Sequence, residues 1–345
     1  MNRIRSLAWF IVAAGYYVLA RNVADTAANG LSSGDWFYLV DRAILVFLLV
    51  LGFAAMGYAG QRQRQPIREM GLAIRSGWMR EFALGSAIGW AGVTFCALII
   101  ALFGALVVTF YTNWWQFVLV PLDLATLLVA ALVEEVAFRG YPFQRLIEAT
   151  NPTIATLLLS ALFAFMHINN PGASTASTLV TFFAGMLFAV AYLRTRALWV
   201  GWGIHFAWNA SMAVLFGLPL SGITQFSPVI ASTAIGPTWL TGFDYGPEGS
   251  AVGLAVILAL IVVTIYATRD LKHRYAQPVI VPGGIPVDID AMARRQHEAA
   301  MGPGMGSAQS AQPQIVQISG VEPQPLEPAS NNETPVSSKE SEPAD

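Results

Sequence analysis

Long apolar runs, separated by short polar segments, fill most of the chain up to residue 267. Most of these runs approach the ~20 residues with which an α-helix crosses a bilayer. The eight runs are approximately residues 7–20, 36–59, 83–110, 117–138, 153–168, 177–193, 198–216 and 251–267. The pattern predicts an all-α, polytopic membrane protein with about eight transmembrane helices.

Positively charged residues concentrate in every second connection between these runs. Arginines or lysines follow the second, fourth, sixth and eighth runs. The alternate connections are poor in them: 21–35 has only Arg21, whereas 111–116, 169–176 and 217–250 have none. Because Lys and Arg favour cytoplasmic loops, the alternation supports eight spans and places the N- and C-termini in the cytoplasm.

The first apolar run follows Arg3 and Arg5 and leaves two interpretations open. Val18–Ala20 has small-residue character suited to a signal-peptidase site, so the run could be a cleaved signal. Tyr16 and Tyr17 are bulky and crowd that site. We therefore favour an uncleaved first span.

The composition changes along the chain and suggests four regions. Residues 1–116 would hold helices one to three, and residues 117–216 a core of helices four to seven. Residues 217–275 would form an outer loop and the last helix. After Tyr275 the chain is rich in Pro, Gly, Ser, Gln and Ala, which predicts a disordered cytoplasmic tail over 276–345.

The overall composition agrees with a membrane location. Hydrophobic residues make up 55% of the 345 residues and charged residues 12%, against about 25% charged in ordinary globular proteins. The mean hydropathy is +0.55. The lipid bilayer is therefore expected as a partner. No basic patch with interleaved aromatic residues is present, so nucleic acid is not expected as a partner. The single cysteine, Cys96, excludes an intrachain disulfide.

Two adjacent carboxylates, Glu134 and Glu135, stand in the fourth apolar run, with Arg139 four residues after Glu135. Ionisable residues at membrane depth are costly and are therefore functional candidates. Neighbours on a helix point about 100° apart. One carboxylate can therefore face a cavity while Glu135 pairs with Arg139.

Two histidines, His167 and His205, also stand in apolar runs. If the fourth run continues as a kinked helix to about Ala149, an antiparallel hairpin puts Glu134 and His167 both roughly 21–22 Å from the turn. They would then lie level in the membrane. His205 and Asn209 are four residues apart and share one helical face.

Three chemical interpretations of these residues remain open from the spacing alone. Glu134 could be a general base that activates water with His167, while His205 and Asn209 stabilise an oxyanion. Alternatively Glu134, His167 and His205 could bind zinc. A third possibility is a proton relay or a structural polar network in a transporter or scaffold.

Three short motifs resemble those of the CAAX-prenyl protease and bacteriocin-processing family of intramembrane proteases, also called the abortive-infection family. Glu134–Arg139 resembles the family motif EExxxR, and Phe163–His167 resembles FxxxH. His205–Asn209 resembles the third motif, HxxxN. The resemblance covers about residues 120–215. Each motif alone is weak, but their order, spacing and placement on separate spans form a specific combination.

The resemblance implies a hydrolase: a helical membrane endopeptidase that acts on membrane-associated proteins or peptides, without a cofactor, in a bacterial inner membrane. It implies that Glu134 activates water with His167 as partner, that His205 and Asn209 form the oxyanion site, and that Glu135 and Arg139 support them. Zinc stays the alternative mechanism. A non-proteolytic immunity or scaffold role is the alternative function, and a proton-coupled transporter is a more distant one.

Overall fold

The computed structural model describes residues 3–110 and 114–271. These residues form ten α-helices and two short strands. The helices are α1 Arg3–Leu31, α2 Phe37–Gln61, α3 Trp78–Leu102, α4 Trp114–Arg139, α5 Tyr141–Ala149, α6 Pro152–Phe165, α7 Thr175–Thr195, α8 Trp199–Ala210, α9 Thr238–Thr241 and α10 Ala251–Ala267. The predicted tail, 276–345, lies outside the described residues.

Five helical segments are long and apolar enough to cross a membrane by length and composition. They are Arg3–Leu31, Gly34–Gln61, Trp78–Leu102, Phe117–Ala149 and Thr175–Thr195. Shorter apolar helices run over Pro152–Phe165 and Ala251–Ala267. The all-α, polytopic fold class is therefore confirmed, while the count of eight spans and the division into four regions stay predictions.

Helix boundaries within the core carry recognisable capping side chains. Asn151 caps α6 by accepting a hydrogen bond from the backbone N–H of Ile154. Ser174 and Ser177 bond reciprocally in a capping box that begins α7. Ser250 accepts from the N–H of Gly253 at the start of α10. These oxygens satisfy backbone donors that the first helical turn leaves free.

The fourth apolar run lies in α4, and the helical segment continues beyond it as α5 to Ala149. Gly140 interrupts the helix between α4 and α5, with φ −76° and ψ −133°. Pro142 then lies in the first turn of α5, where its missing N–H costs no intrahelical bond. The helical segment thus continues to Ala149 as predicted, but its interruption lies at Gly140 and not at Pro142, and the turn before Pro152 falls where the spacing puts it.

The apolar run 83–110 is also divided. Helix α3 ends at Leu102, and Gly104 follows with a positive φ of 69°, which favours glycine. Residues Leu106–Phe110 form strand β1, which pairs antiparallel with strand β2, Ile230–Ala234. The prediction that the whole run spans the membrane as a helix is therefore wrong over its last residues.

Helix α8 lies at the centre of the bundle and packs against α3, α4 and α7. Its approach to α3 is close enough to involve backbone atoms. A Cβ at Gly89 of α3 would overlap the carbonyl oxygen of Ile204, and one at Gly203 of α8 would overlap that of Phe82. Glycine at these positions permits the contact, which fixes the helix that carries His205 and Asn209.

Candidate active site

One cavity of about 360 Å³ brings together the four residues predicted to be catalytic. Glu134 enters it from α4, His167 from the turn after α6, and His205 and Asn209 from α8. Three separate segments of the chain thus supply side chains to a single enclosed space. A mixture of apolar walls and a few convergent polar groups is typical of a binding or catalytic site.

His205 lies between the two carboxylates of α4. Its Nδ1 is 3.0 Å from Oε1 of Glu135, and its Nε2 is 3.6 Å from Oε2 of Glu134. The Glu135 side chain is 1% exposed, whereas that of Glu134 is 34% exposed. The two adjacent carboxylates therefore have different surroundings, as their angular separation on the helix predicts.

Glu135 and Arg139 form a buried ion pair one helical turn apart. Nη1 of Arg139 donates to Oε1 of Glu135 at 3.3 Å, and Nη2 donates to the carbonyl oxygen of Gly185 at 3.0 Å. The guanidinium carbon lies 4.7 Å from the ring centre of Phe163 and 5.0 Å from that of Phe188. The ion pair, the backbone acceptor and the aromatic faces together compensate a desolvated charge.

The imidazole of His205 is held by stacking as well as by hydrogen bonding. Its ring lies 4.5 Å from that of Phe188 with an interplanar angle of 16°. Because an ionised Glu135 offers only acceptor oxygens, the hydrogen of this pair lies on Nδ1. Nε2 is then the ring atom directed at Glu134.

His167 is oriented by the backbone of its own segment. Its Nδ1 lies 2.7 Å from the carbonyl oxygen of Phe163, so this nitrogen is the donor. In the neutral ring, Nε2 consequently carries no hydrogen and can accept one. The four-residue spacing of the FxxxH motif thus sets a tautomer suited to proton transfer.

Glu134 and His167 line the same cavity without bonding to each other. Within residues 3–110 and 114–271, no direct hydrogen bond joins them; the histidine next to Glu134 is His205. A ligand or water held between Glu134 and His167 could contact both. The predicted partnership of these two residues therefore stays a prediction.

The zinc alternative rests on Glu134, His167 and His205. Among the described residues, no group of three or more His, Cys, Asp or Glu side chains is arranged to hold a metal ion. His205 also uses Nδ1 toward Glu135, which would leave only Nε2 for a ligand role. The choice between a metal and a metal-free mechanism is an experimental one.

Glu248 is a cavity residue that the motifs do not reveal. It belongs to the loop between α8 and α10, where its Oε1 accepts from Nε1 of Trp208 at 2.8 Å. Its Oε2 accepts from both the N–H and the hydroxyl of Ser221, each at 2.7 Å. Asn170 in turn donates to the carbonyl oxygen of Ser221 at 3.1 Å. Glu248 therefore connects the loop, the turn after His167 and helix α8.

Asp123 in α4 and the Asp41–Arg42 pair in α2 are charged residues at the ends of apolar runs. Asp123 and Arg42 line the cavity. Oδ2 of Asp123 accepts from the backbone N–H of Ser227 at 2.7 Å, and Arg42 lies 3.2 Å from Asp41. Asp123 thus connects α4 to the loop that also contains Glu248, at a position nearer the beginning of that loop. No signal in the sequence links these residues to the loop.

The fold and the cavity define a helical membrane protein with a buried carboxylate–histidine site, and comparison with known families agrees. Residues 113–211 match the family model described as type II CAAX prenyl endopeptidase Rce1-like. This segment contains α4 to α8 and all three motifs, so the resemblance inferred from the motifs is confirmed over it. Neither curated proteins nor solved structures gave a match.

The family match and the apolar helices support a CAAX-type protease embedded in the membrane. A membrane-associated peptide or protein is the substrate class that such a family suggests.

Proposed function

We propose that this protein is an intramembrane endopeptidase in which Glu134 activates the attacking water. The observation that carries the proposal is the pairing of a half-buried Glu134 with His205, whose other nitrogen is fixed by the fully buried Glu135. A base needs access to water, and its neighbours need a defined orientation. The unequal burial of the two carboxylates supplies both conditions.

In the proposed reaction, an oxygen of Glu134 removes a proton from water as the oxygen of that water attacks the scissile carbonyl carbon. The carbonyl π electrons move to oxygen and give a tetrahedral oxyanion. Collapse breaks the C–N bond, and the leaving nitrogen receives the proton that Glu134 took from water. In this proposal the proton passes from Glu134 either directly or through Nε2 of His167 or His205, which line the same cavity.

His205 and Asn209 are proposed to stabilise the oxyanion. They lie one helical turn apart on α8, and both line the cavity. The amide of Asn209 donates hydrogen bonds in any protonation state, and Nε2 of His205 donates when it carries a proton. Donors fixed before the reaction stabilise developing charge without reorganisation. Glu135 and Arg139 act by orienting His205 and by linking α4 to α7 through the carbonyl oxygen of Gly185.

The proposed substrates are membrane-associated proteins or peptides, cleaved without a metal or other cofactor. The proposed location is a bacterial inner membrane with cytoplasmic N- and C-termini, in accordance with the distribution of positive charge. A non-proteolytic immunity or scaffold protein and a proton-coupled transporter are the competing functions. An immunity or scaffold function would survive the loss of hydrolytic chemistry at Glu134. A transporter would instead show ion- or solute-coupled flux in liposomes.

The decisive comparison uses Glu134→Gln, which keeps the shape of the side chain and removes its basicity. Membranes containing the wild-type protein or the variant would be compared by mass spectrometry of new peptide termini. General-base catalysis contributes about 10²–10⁴-fold, so termini produced by the wild type should be absent from the variant. Glu69→Gln, an exposed carboxylate that does not line the catalytic cavity, is the control.

Equal protein levels and equal thermal unfolding of Glu134→Gln and wild type would establish that the fold is retained. The same set of peptide termini from both proteins would overturn the proposal. So would a wild-type phenotype, of any kind, that persists in Glu134→Gln at equal expression.

A further inference from the structure

A second cavity, of about 1490 Å³, lies away from the catalytic residues and is rich in arginine. We call it the arginine basin. Its lining includes six arginines against two carboxylates, those of Glu69 and Glu148. The arginines are Arg64, Arg68, Arg75, Arg80, Arg145 and Arg196. The excess of positive charge indicates an anionic ligand.

The arginines come from four different parts of the fold. Arg64 and Arg68 follow α2, Arg75 and Arg80 flank the beginning of α3, and the other two lie in α5 and directly after α7. The positive-inside rule requires only that basic residues lie in cytoplasmic loops. These six arginines in addition line one cavity.

Some of these arginines already have partners, and others do not. Arg145 pairs with Glu148 at 2.9 Å. By contrast, within the described chain Arg64, Arg80 and Arg196 form no ion pair, and all three are exposed. Three guanidinium groups therefore remain available to donate charge-assisted hydrogen bonds to one anion.

Apolar side chains alternate with the arginines along the same segment. Ile67 is 48% exposed, Ile74 is 81% exposed and Met79 is 67% exposed. A water-soluble anion gives no reason for such exposure. At a membrane surface, apolar side chains enter the acyl boundary while neighbouring basic groups contact lipid headgroups. The ligand that fits both features carries a phosphate and an acyl chain.

We propose that the arginine basin binds the phosphate headgroup of an anionic phospholipid, held chiefly by Arg64, Arg80 and Arg196. The proposal is independent of peptide hydrolysis, because none of these arginines lines the catalytic cavity. A lipid bound here would contact the segment between α2 and α3, the second half of α5 and the end of α7 together. Binding of an anionic lipid would thereby stabilise the packing of the four helices that adjoin the basin, which are α2, α3, α5 and α7.

The test is native mass spectrometry of the full-length detergent-purified protein, titrated with phosphatidylglycerol or phosphatidylcholine. The basin variant is Arg64→Gln/Arg80→Gln/Arg196→Gln. The matched control is Arg3→Gln/Arg62→Gln/Arg269→Gln, three exposed arginines that do not line the basin. Each arginine near a lipid surface changes affinity about five-fold, so the basin variant should bind phosphatidylglycerol on the order of 100-fold more weakly.

The control should bind phosphatidylglycerol like the wild type, and phosphatidylcholine should bind weakly to all three proteins. Equal phosphatidylglycerol affinity in the basin and control variants would overturn the proposal. Inorganic phosphate provides a separate arm: if it protects the wild type against thermal unfolding as well as phosphatidylglycerol does, the site is one for free phosphate and the lipid assignment is wrong.

Failure of the triple variant to fold would still leave the proposal testable. The single changes Arg64→Gln, Arg80→Gln and Arg196→Gln affect exposed side chains, and each should weaken phosphatidylglycerol binding about five-fold. Wild-type affinity in all three single variants would contradict the proposal. These variants should still produce the same peptide termini as the wild type, so loss of lipid binding would be measured separately from the proposed protease function.

Discussion

Oε1 of Glu135 lies 3.0 Å from Nδ1 of His205, and the same oxygen accepts from Arg139 at 3.3 Å. One carboxylate oxygen therefore serves two cationic or polar donors in the interior of the protein. The position of the histidine that faces Glu134 depends on this shared acceptor. Orientation and charge compensation at the site are thus coupled through one atom.

Glu135→Gln is expected to destabilise the protein strongly. The amide keeps the side-chain volume but leaves the buried guanidinium of Arg139 without a counter-charge, which costs about 3–5 kcal/mol when one partner of a buried pair is removed. Thermal unfolding in detergent should show a large fall in Tm. Asp270→Asn is the control, because the Arg269–Asp270 pair is 3.8 Å apart and about three-quarters exposed on both sides.

The double variant Glu135→Gln/Arg139→Gln separates charge compensation from packing. If the cost of Glu135→Gln comes from the unpaired guanidinium, the second change should recover part of the lost stability. A double variant as unstable as the sum of the two single variants would show that the pair acts through packing alone.

Glu248→Gln is expected to loosen the loop that covers the catalytic cavity. The amide of glutamine has one acceptor oxygen instead of two, so its nitrogen would face either Nε1 of Trp208 or the donors of Ser221, and a partly buried acceptor would be replaced by a donor. The predicted cost is about 1–3 kcal/mol, together with a lower kcat at unchanged protein level. Limited proteolysis within 217–250 should become faster.

Asp244→Asn changes an exposed carboxylate in the same loop and should leave both measurements unchanged. Resistance of Glu248→Gln to proteolysis, at the wild-type level, would show that the three hydrogen bonds to Glu248 do not hold the loop.

Gly89→Ala is expected to disturb the contact between α3 and α8. The added methyl group would collide with the backbone of Ile204, which cannot move as a flexible side chain does, and overpacking of this kind costs about 1–3 kcal/mol. Gly15→Ala is the matched control, since a Cβ there meets nothing within 4 Å. Thermal unfolding should separate the two variants, and equal Tm values would contradict a tight α3–α8 contact.

Zinc content distinguishes the two hydrolytic mechanisms. We expect active protein purified without added metal to contain substoichiometric zinc and to keep its activity in a chelator. Elemental analysis and a cleavage assay on the same sample provide the measurement. One zinc ion per chain, lost together with activity on chelation and absent from His205→Ala, would establish the metal mechanism instead.

Part of the arrangement of the candidate site residues follows from helix geometry, while their catalytic roles stay predictions. His205 and Asn209 share a face at four-residue spacing, and the turn before Pro152 brings the segment of His167 back beside that of Glu134. Their convergence in one cavity depends in addition on the packing of α8 against α4 and α7, which local spacing does not predict. Apolar run length likewise predicted the helical character of the bundle.

Features that depend on distant contacts could not be predicted in this way. Residues Leu106–Phe110 are apolar and follow a helix, so run length alone extends that helix; their pairing with Ile230–Ala234 depends on a segment more than a hundred positions away. Glu248 stands in a loop without periodicity, so nothing local directs it to Trp208.

Gly201 lies against the buried carboxylate of Glu135. A Cβ at this position would lie 3.2 Å from Oε2 of Glu135, and that oxygen is buried. An added Cβ would press on the carboxylate on which both Arg139 and His205 depend, and side chains larger than that of alanine would displace it further. In a saturation screen for activity, a residue with no functional group of its own would therefore tolerate as few replacements as a reactive one.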